Sequence, residues 1–500
     1  MRHRLPPLVA ERLRALSERP IEPTEKGFGS LARPVRAGGA AGAAVAWAAG
    51  SGAAGSRAGG SRAGASGAGA SGVAGFGAAP GRGGAAGTGA PGRVSAASLA
   101  AARPSLHAGG FSYPLLTLRD AALRNNVAAM AAFCGRAGVA LAPHGKTAMS
   151  PELAALQLAH GAWGITVASI GQLQTFRAFG FPRFLLANEL VDAAGIAWLA
   201  GELAADPGFE AYCYVDSLDG VQILDRALAR HRVGRPLPVL VEIGQAGART
   251  GCRTDEQALE VVKAAETTAT LRVAGVAGYE GSLGPPWEPE TLEAVAGFCR
   301  RLRGLADVVA VAVGGGAGRD EDERELIVSA GGSVYFDLAA RELTAPGAAP
   351  VTVILRSGCY LTHDHGLYAR SSPAARGVAG TPDLRPALEL WAQVVSRPEP
   401  GLALLGAGRR DVAFDSGLPI PLRVLRRDGS RSGVSGTNGW QVTDLNDQHA
   451  YLHLPEDAAL APGDVVGLGI SHPCTTLDKW RVLLVLNDDD RVIDAVHCFF

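Results

Sequence analysis

Charge of either sign is not in excess in this chain. Its 47 Lys and Arg residues face 48 Asp and Glu, a formal net charge of −1. No electrostatic footprint therefore points to nucleic acid or to an acidic membrane. Arg423, Arg426 and Arg427 form a short local cluster that reads as a solvated face. Cysteines are few and dispersed: Cys134, Cys213, Cys252, Cys299, Cys359, Cys474 and Cys498 stand singly. An odd, scattered set argues against a disulfide framework and for a reducing compartment. A long apolar run is also missing. Residues 43–55 are apolar mainly through Ala and Gly, too short and too weakly hydrophobic to span a bilayer. Residues 1–20 are charged and leucine-spaced, without the apolar core and small-residue cleavage site of a secretory signal. These absences predict a soluble, cytoplasmic protein.

Glycine, in contrast, is abundant, 67 in 500 residues. Much of the excess lies between about residues 37 and 102, a stretch of Ala, Gly, Ser and Arg. Such a segment cannot bury enough apolar surface to offset the entropy of ordering it. It reads as a disordered linker or insertion over residues 37–110, preceded by a short helical head over residues 1–36.

From Phe111 a βα rhythm begins. Candidate strands are 139–143, 164–168, 184–188, 212–216, 239–243, 273–279 and 351–355, with helical segments between them. Apolar strands alternating with amphipathic helices predict a parallel sheet, and this many predict a closed (β/α)8 barrel over residues 111–356. Two segments compete for the remaining strand, 308–313 and 326–329; the second is preferred because Ala330-Gly331-Gly332-Ser333 follows it directly. Beyond about Arg356 the strands become short and the turns frequent, with candidates at 384–395, 402–406, 412–414, 450–454, 464–470, 481–487 and 492–496, which predicts an antiparallel β domain over residues 357–500. The expected fold class is α/β: a barrel followed by a mainly antiparallel domain.

Lys146, in Pro143-His144-Gly145-Lys146-Thr147, stands at the end of the first barrel strand, where barrel active sites are built. A Schiff-base lysine needs a lowered pKa and a fixed direction, and a barrel mouth can supply both. The ordinary alternative is a lysine in a βα loop. Gly331, Gly332 and Ser333 follow a late strand and offer successive backbone N–H groups to a phosphate. Gly358, one strand later, could complete that cradle. Lysine and cradle together point to pyridoxal phosphate (PLP). Arg249, past another strand, could orient a phenolic oxygen or a carboxylate through its planar fork, and Tyr279 could contact a ring. Each also has a plain reading, as a solvated arginine and a packing tyrosine.

Near the C-terminus, Ser471-His472-Pro473-Cys474 places an imidazole and a thiol two residues apart. In an extended chain they would share a face and could bind one Zn²⁺. His363 and His365 have the same spacing and compete for that assignment. His449 is a further candidate for an outer or proton-transfer role.

The runs Pro143–Thr147, 161–168 and Arg356-Ser357-Gly358-Cys359-Tyr360-Leu361-Thr362-His363-Asp364-His365 resemble the alanine-racemase-like (fold type III) PLP barrels. The run through His472-Pro473-Cys474-Thr475-Thr476 resembles the metal-bearing domain of D-serine dehydratases and D-threonine aldolases, closest to bacterial amino acid (D-serine) deaminases. The likeness spans Phe111 to the end. It implies PLP on Lys146, with His144, Arg249 and Tyr279 near the ring. Gly331, Gly332, Ser333, Gly358 and Tyr360 would surround the phosphate. His472 and Cys474 would hold a divalent metal, zinc by preference. Related folds pair their subunits, so a homodimer is implied by analogy. Two departures from the family pattern are the Ala/Gly-rich stretch and residues 307–322, which look inserted.

The implied activity is a PLP- and metal-dependent lyase acting on a small D-hydroxy amino acid. D-Serine would be dehydrated and deaminated to pyruvate and ammonia, with Lys146 taking the α-proton. Retro-aldol cleavage to glycine and an aldehyde needs the same parts. Cys474, where related aldolases tend to carry aspartate, favours the dehydratase. A racemase or a non-catalytic PLP carrier would need no metal.

Overall fold

A computed structural model describes residues 5–22, 25–26, 94–107, 110–231, 233–314 and 325–500. Most of the expected glycine-rich insertion, residues 37–93, lies outside the described residues, as do 315–322 of the second suspected insertion. The end of the first differs from expectation. Ser95 and Ser98 form a reciprocal capping box that starts helix α2 (Ala96–Ala102), after α1 (Pro7–Ser17). Val94, Leu99 and Leu106 around α2 are buried against the β domain, so apolar side chains hold the segment where composition alone suggests disorder.

Next come β1 (Leu115–Arg119) and α3 (Asp120–Ala137), then the barrel. Its strands are β2 (Ala140–Leu141), β3 (Ile165–Val167), β4 (Arg183–Glu189), β5 (Glu210–Val215), β6 (Leu237–Ile243), β7 (Leu271–Gly278), β8 (Leu326–Ala330) and β9 (Val351–Leu355). All neighbours are parallel, in the order β2-β9-β8-β7-β6-β5-β4-β3. The ring closes where Trp163 N–H donates to the Leu141 carbonyl at 2.7 Å and Thr166 N–H to that of Pro143 at 3.0 Å. The seventh strand is β8. The competing segment 308–313 lies inside the helix α9 (Pro289–Gly314), whose buried stripe includes Val309 and Val313.

Side-chain caps time the turn from strand to helix. Ser150, Ser169, Asp192 and Thr254 each accept a backbone N–H from the first helical turn that follows. One glycine is forced by strand packing. Gly275 on β7 sits at φ +148°, and a Cβ there would lie 1.9 Å from the Ile327 carbonyl oxygen of β8.

The remaining chain forms β10 (Leu388–Glu399), β11 (Leu402–Leu405), β12 (Ile420–Leu425), β13 (Arg431–Gly433), β14 (Gln441–Leu445), β15 (Ala450–His453), β16 (Val465–Gly469), β17 (Val482–Leu486) and β18 (Val492–His497). The sheet is antiparallel apart from the pairing of β1 with β17. Three strands, β12 to β14, are missing from the sequence reading, and its segment 412–414 is a loop instead. Arg423 is on β12, paired with Glu389 and stacked on Trp391 with its guanidinium carbon 5.1 Å from the ring centroid, rather than on a purely solvated face. The domain boundary also moves. β1 lies between β10 and β17 in the β-domain sheet, so residues 115–119 belong to that sheet and not to the barrel.

Candidate active site at the barrel mouth

Inside the barrel a single apolar layer is formed by Ala142, Leu185, Tyr214, Leu240, Ala277, Ile327 and Ile354, one from almost every strand. Their neighbours in sequence, such as Phe184, Cys213, Val239, Val328 and Val353, pack outward under the helices. Side chains alternate along a strand, so the next inward positions toward the C-terminal ends are two residues further on. Those positions are His144, Asp216, Glu242, Tyr279, Ser329 and Arg356, and Glu189 follows Ala187 in the same way. The floor of the barrel is thus apolar and its mouth polar, as the fold places its chemistry.

The polar layer is divided by charge. Glu189, Asp216 and Glu242 end the strands β4, β5 and β6. Burial, then the charge of Glu242, raises the Glu189 carboxyl to about 8. Across the mouth, buried Arg356 donates to the Ser329 hydroxyl and to the Gly278 carbonyl, both at 2.7 Å. Lys146 lies in a single 3-10 turn, Gly145–Thr147, with an exposed side chain. Burial first, then the charges of Lys146, Arg356 and Arg249, hold His144 well below its usual pKa, so its ring is neutral. Arg249 is exposed in the loop after β6. Its guanidinium carbon stacks 4.1 Å from the centroid of Tyr279.

Gly331 and Gly332 are engaged differently from the simple cradle expectation. Their N–H groups donate to the two oxygens of Glu280, at 3.1 and 2.6 Å, and Glu280 is fully buried. The turn does bind an anion through its backbone, but that anion is a side chain of the protein. These two N–H groups are not free for a phosphate, which leaves half-buried Ser333 beside them. Gly358 serves close packing: a Cβ there would lie 2.5 Å from the His144 carbonyl oxygen and 3.0 Å from the Thr147 hydroxyl. It presses the loop after β9 onto the Lys146 turn. Tyr360 is a correction. Its side chain turns away from the mouth, is buried, and accepts a hydrogen bond from Gln157 of the helix Pro151–Leu158 at 3.0 Å.

The β domain contributes the segment after β16. His472 and Cys474 do not share an extended strand. Pro473 has helical φ and ψ, and Cys474 opens the short helix Cys474–Leu477. His472 Nδ1 meets Asp415 Oδ2 at 2.6 Å, which leaves Nε2 available to a ligand. Thr475 donates to the other oxygen of Asp415 at 2.7 Å. The Cys474 sulfur is 3.6 Å from the Thr147 hydroxyl and 3.4 Å from the Cys359 sulfur. This thiol pair loses its first proton more readily than a lone buried thiol, because the second thiol and Thr147 donate to the thiolate. It loses the second less readily, the partner's hydrogen bond and burial both opposing it.

The competing histidines do not form a pair. His363 is buried at φ 46° with Nδ1 on the Asp364 carbonyl at 2.9 Å, and His365 packs over Gly469. His449 is exposed in the turn between β14 and β15. Among the described residues no group of three or more His, Cys, Asp or Glu could hold a metal ion, so a metal at His472 and Cys474 would rest on two protein donors. Sequence reasoning missed Arg356, Ser329, Glu189, Asp216, Glu242, Glu280, Cys359 and Asp415. The first five were signalled by their place two residues beyond an inward apolar position. The other three are brought in by loops.

Comparison with known proteins agrees with this two-part site. Residues 119–338 match the alanine racemase N-terminal domain, and residues 387–486 match a serine dehydratase domain. The D-threo-3-hydroxyaspartate dehydratase of Delftia sp. (strain HT23) is 30% identical over 74% of this chain and 93% of its own. The D-threonine aldolase of Arthrobacter sp. is 28% identical over 75% of this chain and 89% of its own. In fold, the chain resembles the D-threonine aldolase of Filomicrobium marinum, with TM-score 0.64 and 23% identity over 78% of this chain and 95% of the other. The chain belongs to the alanine-racemase-like family that joins an alanine racemase N-terminal domain to a serine-dehydratase-type domain, the family of these dehydratases and aldolases. It is an enzyme of the lyase type. No helix among the described residues is long and apolar enough to cross a membrane.

Proposed function

We propose that the protein is a PLP- and metal-dependent lyase for D-configured β-hydroxy amino acids, with D-serine deaminated to pyruvate and ammonia. The observation that carries this reading is the 3.6 Å approach of the Cys474 sulfur to the hydroxyl of Thr147, the residue after Lys146. A candidate Schiff-base lysine and a candidate metal thiol, 328 positions apart in sequence, thereby meet at one barrel mouth.

The residues present suit both groups. For PLP there is an exposed amine at a strand end. Buried polar atoms without a protein partner lie in the same layer at His144 Nδ1 and Glu242 Oε2, and just below it at Tyr214 Oη. Ser333 and the loop at Gly358 are the nearest candidates for the phosphate. For a metal, an imidazole nitrogen and a sulfur are donors zinc favours, and Asp415 would fix the ring as outer carboxylates do for metal-bound histidines.

PLP, when bound on Lys146, would supply an electron sink for a carbanion at the substrate's Cα, and a zinc ion would supply Lewis acidity toward a β-hydroxyl. The chain supplies the rest. Lys146 Nζ is the base for the α-proton, on the single face it occupies. Neutral His144 beside it does not compete as a fixed positive charge. Arg249, set over the ring of Tyr279, would present its fork to a carboxylate or a phenolic oxygen. The metal reading gains support from a solved D-threo-3-hydroxyaspartate dehydratase in which a cysteine-to-alanine mutant is in a metal-free form.

Retro-aldol cleavage is the second reading, favoured by the D-threonine aldolase and by the 3-hydroxy-D-aspartate aldolase of Paracoccus denitrificans, 26% identical over 76% of this chain and 90% of its own. The purified protein is offered D-serine, D-threonine and their L-forms, with and without a chelator. Keto acid and ammonia from the D-form, lost with chelator, are expected. Glycine and an aldehyde would select the aldolase, and inversion without cleavage would reject both lyase readings.

A further inference from the structure

Cys359 and Cys474 are brought together from opposite parts of the molecule. Cys359 follows barrel strand β9, and Cys474 opens a short helix of the β domain. Their sulfurs are 3.4 Å apart, and both are free thiols. The Thr147 hydroxyl touches each of them, at 3.4 and 3.6 Å. Both backbones are pinned. The Cys359 carbonyl accepts from His363 N–H at 2.8 Å, and the turn before Cys474 is closed by Thr476 donating to the His472 carbonyl at 2.9 Å.

We propose that Cys359 and Cys474 are a reversible redox pair, closed to a disulfide by a peroxide and opened by a dithiol. The bond requires the sulfurs to approach by only about 1.4 Å, to the usual length of roughly 2.05 Å. The other five cysteines are buried. Cys474 alone is partly accessible, so it meets the oxidant first. Its thiol and one hydrogen peroxide give a sulfenic acid and one water. The Cys359 thiol then attacks that sulfur, the S–S bond forms, and the hydroxyl leaves with the thiol proton as a second water. Two thiols are oxidised and one peroxide is reduced. A dithiol reverses the bond by exchange through a mixed disulfide.

The consequence rests on the reading of Cys474 as a metal ligand: a sulfur held in a disulfide cannot ligate zinc as a thiolate, so oxidation would empty the site. In a reducing compartment such a bond is transient, the kind found in redox sensing.

The test uses the full chain, first stripped of metal by a chelator, then treated with hydrogen peroxide. The thiols titrated after denaturation are expected to fall from seven to five, with an intact mass lower by about 2 Da. Peptide mapping should link Cys359 to Cys474, and dithiothreitol should restore both thiols. The Cys359→Ser variant should instead leave a sulfenic acid on Cys474 that dimedone traps. No mass loss in the wild-type chain, or a link between other cysteines, overturns the proposal. Zinc binding separates the two ideas. Reduced protein that binds zinc and oxidised protein that does not support both. A disulfide in protein that never binds zinc leaves the redox pair standing and removes the metal. Zinc binding without any disulfide does the reverse.

Discussion

Asp415 and His472 form a 2.6 Å contact between a carboxylate oxygen and Nδ1, and the same carboxylate takes the Thr475 hydroxyl. The carboxylate thus fixes which ring nitrogen faces outward. Losing such an outer partner typically costs 10- to 100-fold in metal affinity. Asp415→Ala is expected to weaken zinc binding by about that factor while leaving the fold intact, since Asp415 is a half-exposed loop residue. A competition titration with a chromophoric chelator measures it, and unchanged affinity would remove Asp415 from the site.

Lys146→Ala should abolish the visible absorbance of lysine-bound PLP and all turnover. The absorbance spectrum of the purified variant, supplemented with PLP, decides the matter. A retained band would place the cofactor on another amine and end the proposed role of Lys146.

Glu280 satisfies two N–H groups at once. Glu280→Ala leaves two donors without a partner in a buried turn, which should cost about 2–6 kcal/mol at a typical 1–3 kcal/mol per orphaned group. Urea denaturation reads the loss. Because the same turn carries Ser333, the variant should also bind PLP more weakly, and full stability with full PLP affinity would contradict the anchoring role.

Gly358→Ala puts a methyl group 2.5 Å from the His144 carbonyl oxygen, a backbone atom that cannot swing aside. The loops after β2 and β9 must then part. Overpacking of this kind typically costs about 1–3 kcal/mol. A lower melting temperature and weaker lysine-bound absorbance are both expected, because the displaced turn is the one that holds Lys146.

The Glu189 carboxyl, raised from 4.5 to about 8 by burial and by Glu242, makes a pH prediction. Between those values the folded chain holds a proton that the unfolded chain has released. This group therefore lowers stability as pH rises through that window, by linkage. Glu189→Gln removes the titration, so the variant should gain on the wild type between about pH 5 and pH 8.5. Denaturant midpoints at the two ends test the slope, and parallel curves would mean that Glu189 does not titrate in this range.

The barrel was legible because its signals are local. Each strand is a short apolar run, and four of the helices that follow begin at a Ser, Thr or Asp in a capping position. The ambiguity between 308–313 and β8 shows the limit: Val308, Val309, Val311 and Val313 look like a strand, but their place on α9 is set by packing along a long helix. Strand β12 takes its place by pairing with β16, some forty residues on, while β13 and β14 are short, largely polar strands held as hairpin partners of β12 and β15. Lys146, Arg249 and Tyr279 could be picked out by position after strands. Tyr360 could not be placed, because the direction of a side chain in an irregular loop depends on Gln157, 203 residues away. Cys359 and Asp415 escaped notice for the same reason: each is a lone residue until the fold brings up Cys474, 115 positions away, or His472, 57 positions away.

The position of β1 has a consequence for assembly. This strand is made before the barrel yet pairs with β10 and β17, so the β-domain sheet must wait for both of these later strands before β1 is flanked on both sides. In sequence the barrel stands between β1 and the other nine strands of that sheet. A truncation at the barrel's end would strand β1 without neighbours, and the domains cannot be separated by one cut. During synthesis the barrel strands can pair as they emerge, but the thiol that meets the lysine turn arrives only 328 positions after Lys146. A ribosome-bound intermediate would carry an amine competent for Schiff-base chemistry well before it carried the groups that direct the outcome.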